Sequence, residues 1–206
     1  MNEVVRMFLV LAGICLTSAF ALTALNGGLA AQIAKQRRDN VQVPTATEIL
    51  GSAPADLAER YFEIEIEGAP WGIFPWIEDG RCKAVTLEAA GQGGYGGDVT
   101  VMTGIDLERG IVIGVRVTQS GETPGIGSRA AEPTYLKVYR DRALAGTRFA
   151  LSKAGGDIEA VTGATKTSTA VADGVRKAVE FVLAHRDEIA QRAVSGPAGS
   201  QTGGAR

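Results

Sequence analysis

Residues 159–169 read Glu-Ala-Val-Thr-Gly-Ala-Thr-Lys-Thr-Ser-Thr, a turn of small residues followed by a run of hydroxyl side chains. Downstream apolar residues recur at helical spacing, which predicts a helix that begins near Lys166. Thr165 would then lie in the first turn, where free N–H groups and the helix dipole favour an anion. Gly163 and Ala164 leave room for a bulky group to approach the backbone. This pattern predicts an anion site, most simply a phosphate site, with the Thr165 hydroxyl at its centre.

A simpler interpretation of the same stretch is a helix cap. The hydroxyl of Thr162 or Thr165 could accept a hydrogen bond from the first turn of the helix and bind no ligand. Lys166 suits a phosphate, but lysine is also common on helix surfaces. From the residues alone both interpretations stay open.

Two glycine-rich stretches precede this motif. Gly94-Tyr95-Gly96-Gly97 lies before a predicted strand, and Glu122-Thr123-Pro124-Gly125-Ile126-Gly127 follows another. Residues 91–96 also fit the G-x-G-x-x-G pattern of dinucleotide-binding folds, and residues 125–130 fit its Ala-ended variant. The first continues into a β-like stretch and the second lacks a βαβ context, so these surroundings argue against dinucleotide binding.

The sequence Thr162-Gly163-Ala164-Thr165 resembles the Ser/Thr-Gly-Ala-Thr signature of covalently flavinylated FMN-binding domains. In that family a flavin transferase joins FMN through its phosphate to the last threonine, which is Thr165 here. The glycine-rich stretches and one N-terminal membrane helix extend the resemblance to the G subunit of the Rnf electron-transport complex, over roughly residues 62–189. The C subunit of the sodium-pumping NADH:quinone oxidoreductase is related. Where the family usually has Asp six residues before this threonine, the chain has the longer Glu159.

The resemblance implies an FMN site with a covalent attachment at Thr165, which is not a catalyst of turnover. The other residues that it implies for FMN binding are Thr162, Gly163, Ala164, Lys166, Thr167, Glu122, Thr123, Gly125, Gly127 and Tyr95.

The function implied is that of an electron-carrier subunit in a membrane-bound ferredoxin:NAD oxidoreductase coupled to ion translocation. Such a subunit is not catalytic alone. Its expected partners are the A, B, C, D and E subunits of the Rnf complex, with the D subunit the closest, and the flavin transferase that matures it. The alternatives are a membrane-anchored, non-redox scaffold in which Thr165 only caps a helix, and an enzyme that binds a dinucleotide reversibly.

The composition argues against nucleic-acid binding, a disulfide and a metal site. The 206 residues carry a formal net charge of −2, and without a basic stripe we expect no nucleic-acid partner. Cys15 lies in an apolar run and Cys82 far from it, so we expect neither a disulfide nor a metal site. His185 is expected to be a solvated surface residue.

Residues 7–25 carry no charge and are numerous enough to span a bilayer as a helix. A cleaved signal peptide, with residues 19–21 as its site, is the alternative. Lys35, Arg37 and Arg38 follow the span, and the positive-inside rule would place the large domain in the cytoplasm. The resemblance instead implies a single-pass protein of the bacterial inner membrane with its large domain in the periplasm, and we adopt that expectation.

The predicted fold class is α+β, with a twisted antiparallel sheet packed by helices. Strands are expected at residues 61–67, 81–89, 98–105 and 111–118, with a short helix from Glu132 to about Leu144. The predicted organisation is a transmembrane anchor (1–31), a juxtamembrane helix and linker (32–60), one FMN-binding domain (61–194) and a flexible tail (195–206).

Overall fold

A computed structural model describes residues 3–51, 56–123, 125 and 127–196. The chain divides into two units, Met1–Asn40 and Val41–Arg206. Pro124, Ile126 and most of the predicted tail lie outside the described residues.

The first unit is built from helix α1, Glu3–Arg37. At 1.5 Å per residue its 35 residues span about 50 Å, well beyond the ~30 Å of a bilayer's hydrocarbon core. The helix is long and apolar enough to cross a membrane, by length and composition. None of its described side chains is buried within the protein. A π-helical turn, Arg38–Gln42, follows it in the chain.

The second unit contains one five-stranded antiparallel sheet in the order β1-β2-β3-β4-β5. Its strands are β1 Phe62–Ile66, β2 Ala69–Glu78, β3 Arg81–Gly94, β4 Gly97–Asp106 and β5 Ile111–Gln119. Consecutive strands pair as neighbours, so the sheet is a meander. The helices are α2 Val43–Leu50, the single turn α3 Pro133–Leu136 and α4 Thr165–Ser195, which bends at His185. The predicted α+β class is confirmed.

Each face of the sheet carries its own core, because successive strand residues point to opposite sides. Helix α4 covers one face, where Val85, Leu87 and Val101 pack against its apolar side. Helix α2 covers the other face, where Ile49 packs with Phe74 and Met102. The larger core fixes the position of α4 and therefore of the turn that precedes it.

Helix α4 approaches β3 at backbone distance. A Cβ atom at Gly91 would lie 1.7 Å from the carbonyl oxygen of Ala170, and one at Gly174 would lie 3.1 Å from the carbonyl oxygen of Ala89. The contact is reinforced by Asp173, which accepts a hydrogen bond from the Gln92 N–H at 3.1 Å. The first turns of α4 are thereby held against the end of β3.

Asp173 is partly buried, which by itself would raise its pKa. Hydrogen bonds from Lys177, Arg176 and the Gln92 N–H outweigh that effect and lower the pKa. The folded state therefore favours the carboxylate, so Asp173 contributes stability at neutral pH that is lost as the pH falls through its folded pKa.

The short helix at residue 133 ends earlier than its sequence predicts. After α3 the chain makes one 3₁₀ turn, Lys137–Tyr139, and Asp141 adopts a positive φ of 59°. Asp141 N–H then donates to Val112 O, and Val112 N–H donates to Arg142 O, both at 2.9 Å. Pairing with the start of β5 replaces the helical hydrogen bonds and extends the sheet edge.

Cys82 is a buried free thiol, and burial raises its pKa to about 12. The unfolded chain releases this proton at lower pH than the folded chain, so the free energy of unfolding should fall as the pH rises above about 9. In a Cys15→Ala background we expect iodoacetamide to modify Cys82 only after unfolding, as measured by intact mass. Equal modification rates in the folded and unfolded protein would contradict this burial.

Candidate functional site

The turn that precedes α4 is shaped by backbone hydrogen bonds. Ala164 N–H donates to Val161 O at 3.0 Å, and Gly163 has a φ of 83°, a conformation in which a glycine is not strained. The buried Ser168 hydroxyl accepts the Val161 N–H at 3.1 Å, and Ser168 N–H donates to Ala164 O at 2.9 Å. These bonds tie the turn to the first turn of α4.

The N-cap position of α4 is Ala164, and it makes no side-chain cap hydrogen bond. Thr165 is the first helical residue rather than a cap. Its side chain is exposed, and within the described part of the chain its hydroxyl makes no hydrogen bond. The first N–H groups of a helix have no intrahelical acceptor, so they remain available to an external anion.

A cleft of about 540 Å³ opens at this helix end. That volume lies within the usual range for small-molecule sites. Its wall is formed by three segments of the chain that are distant in sequence. The residues that line it are Tyr95, Glu122, Thr123, Gly127, Gly163, Ala164, Thr165, Lys166 and Thr167.

Every residue that lines this cleft is one that the sequence predicts for FMN binding. Two further predicted residues do not line it. Thr162 is exposed in the preceding turn. Gly125 has a φ of 81°. Its N–H donates to the Ser128 hydroxyl at 2.8 Å, so this N–H is not free to bind a ligand.

Lys166 and Tyr95 meet at the cleft. The Lys166 ammonium lies 5.9 Å from the centre of the Tyr95 ring, within reach of a cation–π interaction. Tyr95 belongs to the tight connection between β3 and β4, and 77% of its surface is exposed. The cleft thus presents one cation and one aromatic ring beside the free end of α4.

A second, smaller groove of about 280 Å³ also includes Thr165. Lys153 and Arg176 line it, together with Asp173. Arg176 is held by Asp173 at 2.6 Å and by Glu180 at 2.7 Å. Its charge is therefore already balanced by two carboxylates.

Glu159 lies outside both grooves. Its Oε1 atom lies 2.8 Å from the Ser152 hydroxyl, on the segment that leads into the turn. A parallel bridge between Leu151 and Ile158 holds this segment together. The side chain is exposed and accessible to another protein.

Two structural roles at the site are not predicted by the sequence. Ser168 fixes the turn through its buried hydroxyl. Glu122, which the motif predicts only as an FMN contact, also binds the backbone of the β3–β4 connection. Neither role has a local sequence signal, because both depend on residues brought together by the fold. Among the described residues there is no cluster of side chains suited to a metal ion.

A cleft of this size at the end of a long helix, beside an antiparallel sheet, is large enough to hold a small molecule. The family model of the FMN-binding domain matches residues 94–180, which include every residue that lines the cleft. Residues 94–180 are therefore similar to the FMN-binding domain family, as the motifs predict.

Two relatives of this chain, from different bacteria, are both named as the G subunit of an ion-translocating oxidoreductase complex. The G subunit of the ion-translocating oxidoreductase complex of Vibrio vulnificus is 34% identical over 116 residues, 54% of each chain. The protein of the same name from Escherichia coli is 34% identical over 106 residues, 49% of this chain and 51% of that protein. The chain spans about half the length of the curated relatives it matches. The resemblance to the G subunit is confirmed.

Among solved structures, the C subunit of the Na⁺-translocating NADH-quinone reductase from Parabacteroides distasonis has a similar fold. The TM-score is 0.52 at 18% identity, over 73% of this chain and 94% of that one. At that identity the likeness shows a shared fold.

Proposed function

We propose that the chain is the electron-carrying subunit of a membrane-bound, ion-translocating oxidoreductase of the Rnf type, and that FMN is joined to it through a phosphoester at Thr165. Ferredoxin and NAD would be the redox partners of the whole complex. The observation that carries this proposal is the exposed Thr165 hydroxyl, which lies in the cleft at the uncapped start of a 31-residue helix.

The residues present fit a flavin nucleotide. The cleft is large enough for a ring system, and the helix start with Lys166 offers N–H donors and a positive charge to a phosphate. Gly163 and Ala164 keep the approach to Thr165 free of large side chains. We propose that Thr165 attaches the nucleotide and that Thr123, Gly127 and Tyr95 contact its ring. Thr167, which lines the cleft, completes the proposed site, and Thr162 and Gly125 would lie beside it in the adjoining turns.

When bound, the isoalloxazine ring of FMN supplies the redox chemistry, and the protein supplies attachment, orientation and electrostatics. Thr165 would hold the phosphate at the first residue of α4. The helix dipole and Lys166 would offset the single negative charge of the phosphodiester. Tyr95 would border the ring on the side of the β3–β4 connection.

Attachment requires an activated donor and a flavin transferase. The donor would be a flavin nucleotide that contains a phosphoanhydride bond. A new bond forms between Thr165 Oγ and the flavin phosphorus, and the phosphoanhydride bond breaks to release a nucleotide leaving group. The hydroxyl proton passes to a base of the transferase. Exposure of both Thr165 and Glu159 is compatible with recognition by a second protein.

The proposed organisation keeps residues 1–31 as the membrane anchor, 32–60 as a juxtamembrane segment, 61–194 as the FMN-binding domain and 195–206 as a tail. Helix α2 of the juxtamembrane segment packs on the sheet of the FMN-binding domain. We place the large domain on the periplasmic side of the inner membrane. The support is the resemblance to the G subunit. The A, B, C, D and E subunits of such a complex, the D subunit first among them, are the proposed partners.

The proposal is tested by the mass and colour of the denatured protein. We expect the full chain, co-expressed with a flavin transferase, to remain yellow in denaturant and to gain the mass of FMN less one water. The same chain expressed without the transferase is the matched control and should be colourless. A colourless, unmodified chain after co-expression with an active transferase would overturn the covalent assignment and favour the scaffold interpretation.

A further inference from the structure

The connection between β3 and β4 contacts the loop that follows β5. We call residues 94–97 the hairpin tip; Gly94 and Gly97 pair across it, and Tyr95 lies between them. A Cβ atom at Gly96 would lie 2.0 Å from the carbonyl oxygen of Gly121, so the two backbones touch without side chains between them. The position of Tyr95 beside the cleft therefore depends on this contact.

The Glu122 side chain occupies the space between the two segments. Its Oε1 atom accepts a hydrogen bond from the Gly96 N–H at 3.2 Å. Its Oε2 atom is buried and, within the described part of the chain, has no hydrogen-bond partner. Burying an oxygen without a hydrogen-bond partner lowers the stability of the folded state. The hydrogen bond from the Gly96 N–H to Oε1 is the contact that compensates for it.

Two glycines make room for the carboxylate. A Cβ atom at Gly94 would lie 2.6 Å from Glu122 Oε1, and one at Gly127 would lie 2.1 Å from Oε2. Any larger residue at either position would displace the carboxylate or its neighbours. The carboxylate is thus enclosed by the backbone of the hairpin tip on one side and of the cleft wall on the other.

From this arrangement we infer that Glu122 is a positioning residue: it holds the hairpin tip, and with it Tyr95, over the cleft in which the flavin ring would lie. The effect of this positioning on the flavin ring rests on the proposed function. Glu122 acts on the ring through Tyr95 and not by direct contact with the reacting atoms. Tyrosine is an effective quencher of flavin fluorescence at contact distance, so its position can be read from the flavin signal.

The first test is amide hydrogen exchange at Gly96 in the full chain without flavin. Loss of the hydrogen bond in Glu122→Ala should speed exchange roughly tenfold. Glu122→Gln keeps an oxygen acceptor and should leave the rate near that of the wild type. Unchanged exchange in Glu122→Ala would overturn the inference, and this readout does not depend on whether the chain carries FMN.

The second test uses the flavinylated chain in a double-mutant cycle with Tyr95→Leu. If Glu122 acts through Tyr95, then Glu122→Ala should raise the flavin fluorescence to the level of Tyr95→Leu, and the double variant should show no further rise. Independent, additive increases would overturn the inference. Absence of flavin from the wild type would instead count against the proposed function.

A third variant avoids the loss of the Glu122 side chain. Gly127→Ala should displace the carboxylate and reproduce the faster exchange at Gly96. Gly114→Ala is the matched control, because a Cβ atom there meets only Ile49 at 3.6 Å, an ordinary contact. If Gly127→Ala leaves Gly96 exchange unchanged while the protein is folded, the proposed enclosure of Glu122 is wrong.

Discussion

Thr165→Ala is expected to give a folded, membrane-bound protein without covalent flavin. The side chain is exposed and makes no hydrogen bond within the described residues, so its removal should change the free energy of unfolding by less than about 0.5 kcal/mol. The attachment oxygen is lost completely. After co-expression with the transferase, the denatured variant should be colourless, and its intact mass should match the unmodified chain.

Two variants separate attachment from local structure. Thr165→Ser keeps a hydroxyl at the same position and should restore flavin to the denatured protein. Thr169→Ala removes a hydroxyl one helical turn further on, which donates to Thr165 O at 2.9 Å, and should retain the flavin. Flavin that remains with denatured Thr165→Ala, or that disappears equally from Thr169→Ala, would contradict the assignment.

Gly91→Ala is expected to have the largest effect on stability. The new methyl group would lie 1.7 Å from Ala170 O and 2.7 Å from the Gly174 nitrogen, both backbone atoms that cannot move alone. Helix α4 would have to shift away from β3. We expect the free energy of unfolding to fall by roughly 3 kcal/mol and the flavin content to fall with it, since the first turn of α4 forms the cleft. Denaturant unfolding of the full chain in detergent measures the first effect.

Gly114→Ala is the matched control for this experiment. Gly114 is also a strand glycine, but an added Cβ atom would have only the Ile49 side chain within 4 Å. We expect its stability to stay within about 0.5 kcal/mol of the wild type. Unfolding of Gly91→Ala at the same denaturant concentration as Gly114→Ala would contradict the backbone contact between α4 and β3.

Sequence patterns predicted four strands of the sheet and missed β2. The segment contains Pro70 and Pro75, which argue against a strand inside a sheet. In the fold, β2 pairs with β1 through residues 69–73 and with β3 through residues 73–78. Each proline thus lies in a half of the strand that has one paired neighbour, so its missing N–H does not break a two-sided ladder. Such an offset between neighbours cannot be read from periodicity.

The site was easier to predict than the sheet because its central motif is local. Thr165 and the residues beside it lie at a helix start, which the apolar spacing located to within one residue of Thr165. The local pattern could not decide between a cap and an open helix end. The N-cap position is Ala164, whose side chain has no hydrogen-bond acceptor, so the helix end stays open. The turn before it is held by Ser168, whose hydroxyl accepts the Val161 N–H.

Glu122 shows what the sequence could not supply. Its motif placed it near the ligand, but its contact with Gly96 joins residues 26 positions apart. The contact depends on the register of β3, β4 and β5 and on a bulge between Gly91 and Gly94. Only the three-dimensional arrangement shows that two glycines leave space for its carboxylate.

The most direct test of the central proposal is the location of the flavin by tandem mass spectrometry. The flavinylated full chain would be digested, and the yellow peptide that contains residues 159–169 fragmented. We expect the mass of FMN less one water on Thr165 alone. The same added mass on Thr162, Thr167, Ser168 or Thr169, or a peptide without it in a protein that stays yellow when denatured, would contradict attachment at the start of α4.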